Sequence, residues 1–397
     1  AQQAPPCPAM KAARMSSLSS AAVAAGRGAG AATAAATTAA VRRCSLNSNN
    51  KRQPKKHTLR RACPAAQAAA SKRVPPPPEY ESALLGATLS SFIYEYRDEM
   101  GLEGDVVGTY KELMTRALDA PEPVASIDAT TTSELTVEKD AVGIELVEFI
   151  ATEDYKPNAA WKDTECAVFV SPRLKRIVVA FRGTESRVDW LGNLRATQRD
   201  IGDSSDNIDS EVHSGFRAAY FDGKVAERVE AAVVEQYEKH SKNGLLEDWG
   251  ILTTGHSLGG ALATLCLYRL AVRNVGGLAG KGVPIEMVNF GAPRVGNAAF
   301  CSELEASSAA VARVVNRRDA VCRIAPAWLT SYRHAGPFTK FDGEGQATVY
   351  SADEQRELGW GFSSDDHSMS TTDKNGNAYL NKLMALGQSG WPGRASA

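Results

Sequence analysis

A serine at position 257 stands between glycines in Gly255-His256-Ser257-Leu258-Gly259, with another glycine at 260. The G-x-S-x-G letters say little by themselves in a chain with 33 glycines. Their setting says more. An apolar run from Gly250 to Thr254 leads into them, and Leu262, Leu265 and Leu267 follow in a stretch with helical character. Strand, tight turn and helix in that order would hold a serine hydroxyl clear of a sheet edge. The helix N-terminus would aim backbone N–H groups at developing negative charge. Leu258, the residue after the serine, would supply one of them. The bland reading is a glycine-rich turn with a capping serine.

A serine hydroxyl attacks a carbonyl only when a base takes its proton, and the base needs an acid to fix its tautomer. In a strand–turn–helix setting of this kind the acid and then the histidine follow the serine along the chain. His334 and His367 are the histidines downstream of Ser257. His367 closes a polar stretch, Ser363-Ser364-Asp365-Asp366-His367, and is the expected base. His334, in Tyr332-Arg333-His334-Ala335-Gly336, follows the expected acid too soon and reads as a structural side chain bonded to backbone. Asp319 is the expected acid, because it follows the strand-like Val314-Val315-Asn316 by a short turn. Asp365 and Asp366 adjoin the base in sequence, are poorly placed to orient it, and read as a solvated loop.

Positioning such a trio requires strands that end at one edge. Strands are expected over Ala141–Ile150, Glu165–Val170, Arg176–Phe181, Gly250–Thr254, Pro284–Phe290 and Ala312–Asn316. Helical spacing runs through Glu81–Arg97, Phe216–His240 and Leu258–Val272. Strands alternating with helices argue for an α/β fold with a mostly parallel central sheet and helices on both faces. Chemistry in such sheets sits beyond the carboxyl ends of the strands, which is where Ser257 and Asp319 fall.

Residues 1–73 carry 13 Lys and Arg and no acid, whereas residues 74–397 carry 32 against 46 acids. The two parts are different materials. The first 75 residues are rich in Ala, Ser and Thr and poor in large aliphatics, so a disordered segment is expected. Their basic, acid-free composition fits an organelle transit leader better than a secretory signal. Met15-Ser16-Ser17-Leu18 would be a natural start for it. A plastid address is preferred, with mitochondrion or cytoplasm as alternatives. Pro75–Pro78 form a stiff spacer, and one folded domain is expected over 79–391. The acidic body argues against nucleic acid as a partner and against electrostatic adsorption as the main route to a membrane. Seven scattered cysteines without a C-x-x-C pair suit reduced, buried thiols. No metal or organic cofactor is expected, and the sequence leaves the oligomeric state open.

Six stretches together resemble the class 3 lipases, a family of fungal secreted lipases and plant plastid acyl hydrolases. They are Val178–Thr184, Val212–Phe216, Thr254–Gly260, Asn289–Asn297, Val314–Asp319 and Asp366-His367, all in family order between about Val142 and Leu386. The resemblance implies an α/β-hydrolase fold and a Ser257–His367–Asp319 triad. It also implies Thr184 as the second oxyanion donor beside Leu258, and a lid over Asp189–Leu194, whose bland reading is an ordinary packed helix. His213, Arg294 and Asn297, with glycines 255, 259, 291 and 296, match the family at positions that read as structural. The segment Ser370–Asn377, inserted before Tyr379-Leu380, departs from the family pattern. The leader and the form of the motifs favour the plant and algal plastid branch. The implied activity is cleavage of acyl esters in glycerolipids: triacylglycerols, phospholipids or galactolipids. The implied partners are the lipid itself and the membrane or lipid-droplet surface holding it. Two rival readings remain, a non-catalytic lipase-like scaffold and a soluble carboxylesterase.

Overall fold

The computed structural model describes residues 79–95, 143–152, 164–184, 198–201, 209–241, 249–324, 331–352, 354, 362–369 and 378–392. All of them lie in the unit Ala68–Ala397. The leader, the lid stretch Asp189–Leu194 and the insertion Ser370–Asn377 fall outside the described residues.

Eight strands make one sheet: β1 Glu145–Ala151, β2 Glu165–Ser171, β3 Arg176–Phe181, β6 Gly250–His256, β7 Ile285–Phe290, β8 Ala310–Asn316, β9 Phe338–Phe341 and β10 Ala347–Tyr350, side by side in that order. Strands β3, β6, β7, β8 and β9 run parallel, while β1–β2–β3 and β9–β10 pair antiparallel at the two edges. A short antiparallel ribbon, β4 Gln198–Asp200 with β5 Glu211–His213, stands apart. The helices are α1 Tyr80–Glu95, α2 Ser214–Phe221, α3 Val225–Ser241, α4 Leu258–Ala271, α5 Ala298–Ala306 and α6 Tyr379–Gly390.

The central strands have apolar residues at successive positions because both faces of the sheet are covered. In β3, Ile177, Val179 and Phe181 join the core beneath α2, α3 and α4. The alternate residues Val178 and Ala180 join the opposite core with Leu84, Leu85 and Ile93 of α1 and Leu380 and Leu383 of α6. Helices therefore cover both faces, which is the α/β-hydrolase arrangement.

Two expectations differ from the structure. The single helix expected over Phe216–His240 is two, α2 and α3, separated by the turn Asp222–Lys224. Gly223 there takes φ 65°, a left-handed conformation that glycine adopts without the Cβ clash other residues meet. The hairpin β9–β10 was not anticipated. Its strands have four residues each, and its turn is organised by Asp342 Oδ1, which accepts from Glu344 N–H at 2.9 Å and Gln346 N–H at 2.8 Å. Cys166, Cys266, Cys301 and Cys322 are buried free thiols, and the other three cysteines lie outside the described residues.

His213 is buried and caps α2, its Nδ1 accepting from Gly215 N–H at 3.1 Å. That bond requires an unprotonated Nδ1. Burial lowers the His213 pKa to about 4. Burial, with Arg313 and Arg294 nearby, holds His334 well below the usual imidazole range. In the unfolded chain both titrate near 6.5, so between that value and about 4 the unfolded state binds more protons. Stability should thus fall as pH drops through this window, by at most about 3 kcal/mol for His213. Thermal melts across that range should show the loss, and His213→Asn, which keeps a capping oxygen, should flatten it. A melting curve whose pH dependence ignores the substitution would remove His213 as a cause.

Candidate active site

The turn from β6 into α4 is sharp. Ser257 sits between them at φ 58° and ψ −124°, a left-handed backbone rare for a residue with a Cβ. Surrounding bonds hold it there: Ser257 N–H donates to Phe290 O at 2.9 Å, and Ser257 O accepts from Gly260 N–H at 3.1 Å. The adjoining glycines allow the helix to start this close to the sheet. A Cβ on Gly259 would overlap the Phe181 carbonyl group of β3, and one on Gly255 would lie 2.8 Å from Gly260 N. Gly291, at the end of β7, takes φ 60°, and a Cβ on it would lie 2.7 Å from Asp319 Oδ2 and 3.0 Å from the His367 ring. A side chain there would fill the space in which the acid and the imidazole meet.

The structure brings Ser257, His367 and Asp319 together. His367 Nε2 and Ser257 Oγ are 2.8 Å apart, and His367 Nδ1 and Asp319 Oδ2 are 2.8 Å apart. All three residues are buried, Asp319 completely. Asp319 stands just beyond β8, its N–H donating to Asn316 O at 2.9 Å. His367 ends a short 3-10 turn, Asp365–His367, with its own N–H donating to Ser364 O at 3.1 Å. Thr184 is half-buried three residues beyond β3. A Cβ on the preceding Gly183 would come within 2.7 Å of His256 O, so this turn runs against the end of β6 beside the serine. Leu258 opens α4 and is buried. The first N–H groups of a helix lack partners inside it, so Leu258 N–H belongs to the set that faces the helix's N-terminal end.

Several residues around this trio escaped the sequence reading. The Tyr379 hydroxyl donates to Asp319 Oδ2 at 2.6 Å and accepts from Asn316 N–H at 2.9 Å. Burial first, and then the Asp319 charge, hold that phenol well above its ordinary pKa. It therefore stays a donor to the carboxylate. Val321 N–H donates to the other oxygen, Asp319 Oδ1, at 2.8 Å. The Tyr-Leu pair at 379 was visible in sequence, but nothing local tied its hydroxyl to residue 319.

Asp366 corrects an expectation. It is buried rather than solvated, and it helps seat the turn that carries His367. Asp366 Oδ2 accepts from Arg318 N–H at 3.2 Å, Oδ1 lies 3.5 Å from Arg317 Nη1, and Asp366 O accepts from Asn316 Nδ2 at 3.0 Å. Lys382 in turn donates to Asn316 Oδ1 at 2.8 Å. Burial foremost, and then Arg317, lower the Lys382 pKa to about 8. Asp365, its neighbour in sequence, is exposed. On the other flank the His256 ring lies against His367, with centroids 4.4 Å apart, and shares a 2.9 Å hydrogen bond with the Tyr94 hydroxyl of α1.

The remaining motif residues have local structural partners. His334 Nε2 donates to Cys322 O at 2.8 Å, away from Ser257. Arg294 Nη1 donates to Arg323 O at 2.9 Å. Asn297 caps α5, its Oδ1 accepting from Phe300 N–H at 3.0 Å.

Residues 178–328 match the class 3 lipase family. That stretch holds Thr184, Ser257, Leu258 and Asp319 and stops short of His367. A lipase of Rhizomucor miehei is 32% identical over 190 residues, which is 47% of this chain and 48% of that protein. A chloroplastic phospholipase A(1) of Arabidopsis thaliana is 32% identical over 158 residues, 37% of this chain and 33% of that protein. The chain thus spans about half or less of the curated relatives it matches. Among solved structures, a fungal lipase–inhibitor complex covers 77% of this chain and 96% of its own at 23% identity and a TM-score of 0.51, a likeness of fold. Over residues 178–328, the chain is similar to the class 3 lipase family.

Proposed function

We propose that this chain is a carboxylic ester hydrolase that releases fatty acids from glycerolipids, with Ser257 as nucleophile, His367 as base and Asp319 as its orienting acid. The observation that carries this reading is the unbroken chain of hydrogen bonds from Ser257 Oγ through both ring nitrogens of His367 to Asp319 Oδ2, each 2.8 Å long. His367 Nε2 takes the hydroxyl proton as Ser257 Oγ bonds to the acyl carbon. The carbonyl oxygen becomes an oxyanion, received by the N–H groups of Thr184 and Leu258. As the intermediate collapses, the imidazolium gives its proton to the departing glycerol oxygen and an acyl-enzyme remains. Water, deprotonated by His367, attacks that ester, and a second oxyanion collapses to fatty acid and free serine. The charge of Asp319, held by three donors, favours the imidazolium formed in each half.

Glycerolipids are favoured as substrates because the relatives are named as a lipase and a phospholipase A(1). The domain expected over 79–391 fits this reading, since the base and its seat lie beyond residue 328. A plastid address is supported by the acid-free leader and by relatives named chloroplastic. N-terminal sequencing of protein recovered from plastids should find a start near residues ~60–80, and Ser16 retained there would contradict a cleaved leader.

A fluorophosphonate probe tests the chemistry directly, because it labels only an activated serine. Stoichiometric labelling at Ser257, located by peptide mapping, is the expected result. A folded chain that stays unlabelled is a lipase-like scaffold instead.

A further inference from the structure

Residues 74–397 are strongly acidic taken together, yet the rim around Asp319 and the segment leading to His367 has the opposite character. The segment 316–324 carries Arg317, Arg318 and Arg323, and 331–336 carries Arg333. Arg318 and Arg333 are exposed, and Arg317 and Arg323 are half-buried. The acids among them are mostly committed inward: Asp319 to His367, and Asp366 to Arg317 and the Arg318 backbone. Asp365 is the exposed acid of the described segment 362–369. Backbone contacts gather the arginines, since Arg323 Nη1 donates to Arg318 O at 2.9 Å and Arg333 N–H to Gly296 O at 2.8 Å, in the loop that also carries Arg294. The Arg294 guanidinium, lowered to about 10 by burial first, also feels repulsion from Arg333 and Arg323.

Phe362 stands on the same rim and is 76% exposed, the most exposed large apolar side chain among the described residues. The Arg323 guanidinium carbon lies 5.7 Å from the centre of its ring. The next residue, Ser363, donates its N–H to Arg318 O at 3.0 Å, and His367 follows four residues later. An aromatic ring beside guanidinium groups matches the layering of a phospholipid surface, with phosphates outside and hydrocarbon beneath.

We propose that Phe362 and arginines 318, 323 and 333 form a docking rim that seats the chain on an anionic phospholipid surface. The ring enters the headgroup layer, and the guanidinium groups face lipid phosphates. Screening confines repulsion from the acidic body to about 8 Å, so a plane touched at this rim is held where a long polyanion wrapped on the chain would be repelled. The use of such docking rests on the hydrolase reading: it would bring an acyl ester to Ser257.

The test reads binding without turnover. The full chain carrying Ser257→Ala is sedimented with vesicles of phosphatidylcholine alone, or of phosphatidylcholine mixed with phosphatidylglycerol. Binding to the mixed vesicles that weakens with salt is expected, with little to phosphatidylcholine alone. Arg318→Gln should weaken it about fivefold, the worth of one cation near such a surface. Phe362→Ser should also weaken it, and both variants should melt as the parent does, because the replaced side chains are exposed. Arg173→Gln, in the β2–β3 turn at the opposite end of the strands, should leave binding unchanged. Equal binding to both vesicle types, or equal losses from Arg318→Gln and Arg173→Gln, would overturn the rim. Failure of fluorophosphonate labelling would instead overturn the hydrolase reading, and the binding assay does not depend on that chemistry.

Discussion

Ser257→Ala should lower kcat on a p-nitrophenyl acyl ester by about 10⁶-fold while leaving the chain folded. The hydroxyl is the atom assigned to bond the acyl carbon, so without it no acyl-enzyme forms. His367 and the backbone donors would remain, and a residue of catalysis over water, about 10³- to 10⁴-fold, is what they could still supply. The fold should survive for a specific reason. The strain at this position comes from a Cβ on a backbone at φ 58°, and alanine carries the same Cβ. The Ser257 backbone bonds to Phe290 and Gly260 do not involve the hydroxyl. Thermal melting should therefore match the parent, and fluorophosphonate labelling should vanish. Activity near the parent level in a folded variant would end the serine-hydrolase reading.

The elements legible in the sequence are those whose identity is local. A buried parallel strand is apolar at successive positions, so Arg176–Phe181 declared itself through Ile, Val and Phe, while the strand expected over Pro284–Phe290 showed in Ile285, Met287, Val288 and Phe290 despite Glu286 and Asn289. The strand-to-helix turn at 255–260 declared itself through glycines that keep β6, α4 and β3 from overlapping. The break between α2 and α3 runs through Asp222, Gly223 and Lys224, of which only Gly223 signals it in sequence, and isolated glycines in helices are common enough that the break was missed. Strands β9 and β10 were missed because four residues are too few for an alternation to stand out.

The candidate site divides along the same line. Ser257 was legible from its neighbours, and His367 and Asp319 from chain order after it. The groups that hold Asp319 and His367 in place were not legible, because their partners lie far along the chain. Tyr379 is 60 residues from Asp319, and Asn316 is 50 from Asp366. Asp366 shows the cost of judging by sequence proximity. Its closeness to His367 rightly suggested that it does not orient the ring, and wrongly suggested that it faces water. Its carboxylate instead fastens the loop to the turn after β8, next to the acid that does contact the ring.

That division makes Asp319→Asn the sharper test of mechanism, with an expected loss of about 10⁴-fold in kcat and little change in KM. The carboxylate accepts three hydrogen bonds: His367 Nδ1 and the Tyr379 hydroxyl at Oδ2, and Val321 N–H at Oδ1. An asparagine must place its NH₂ at one of those two positions. Facing Val321, it would set donor against donor, and a backbone N–H cannot turn away. Facing His367, it meets two groups that can adapt, since a hydroxyl rotates and an imidazole changes tautomer. The amide should therefore point its NH₂ at His367, which makes Nδ1 an acceptor and leaves the proton on Nε2. Nε2 would then present a hydrogen to Ser257 Oγ and could not accept one, so the nucleophile loses its base although no atom has moved far. Substrate binding does not use this bond, which is why KM should hold. Fluorophosphonate labelling should slow in parallel with kcat, since it needs the same proton transfer. Nitrogen-15 NMR of the His367 ring would show the tautomer change, and a variant that keeps Nδ1–H and a rate within about tenfold of the parent would show that Asp319 does not set the base.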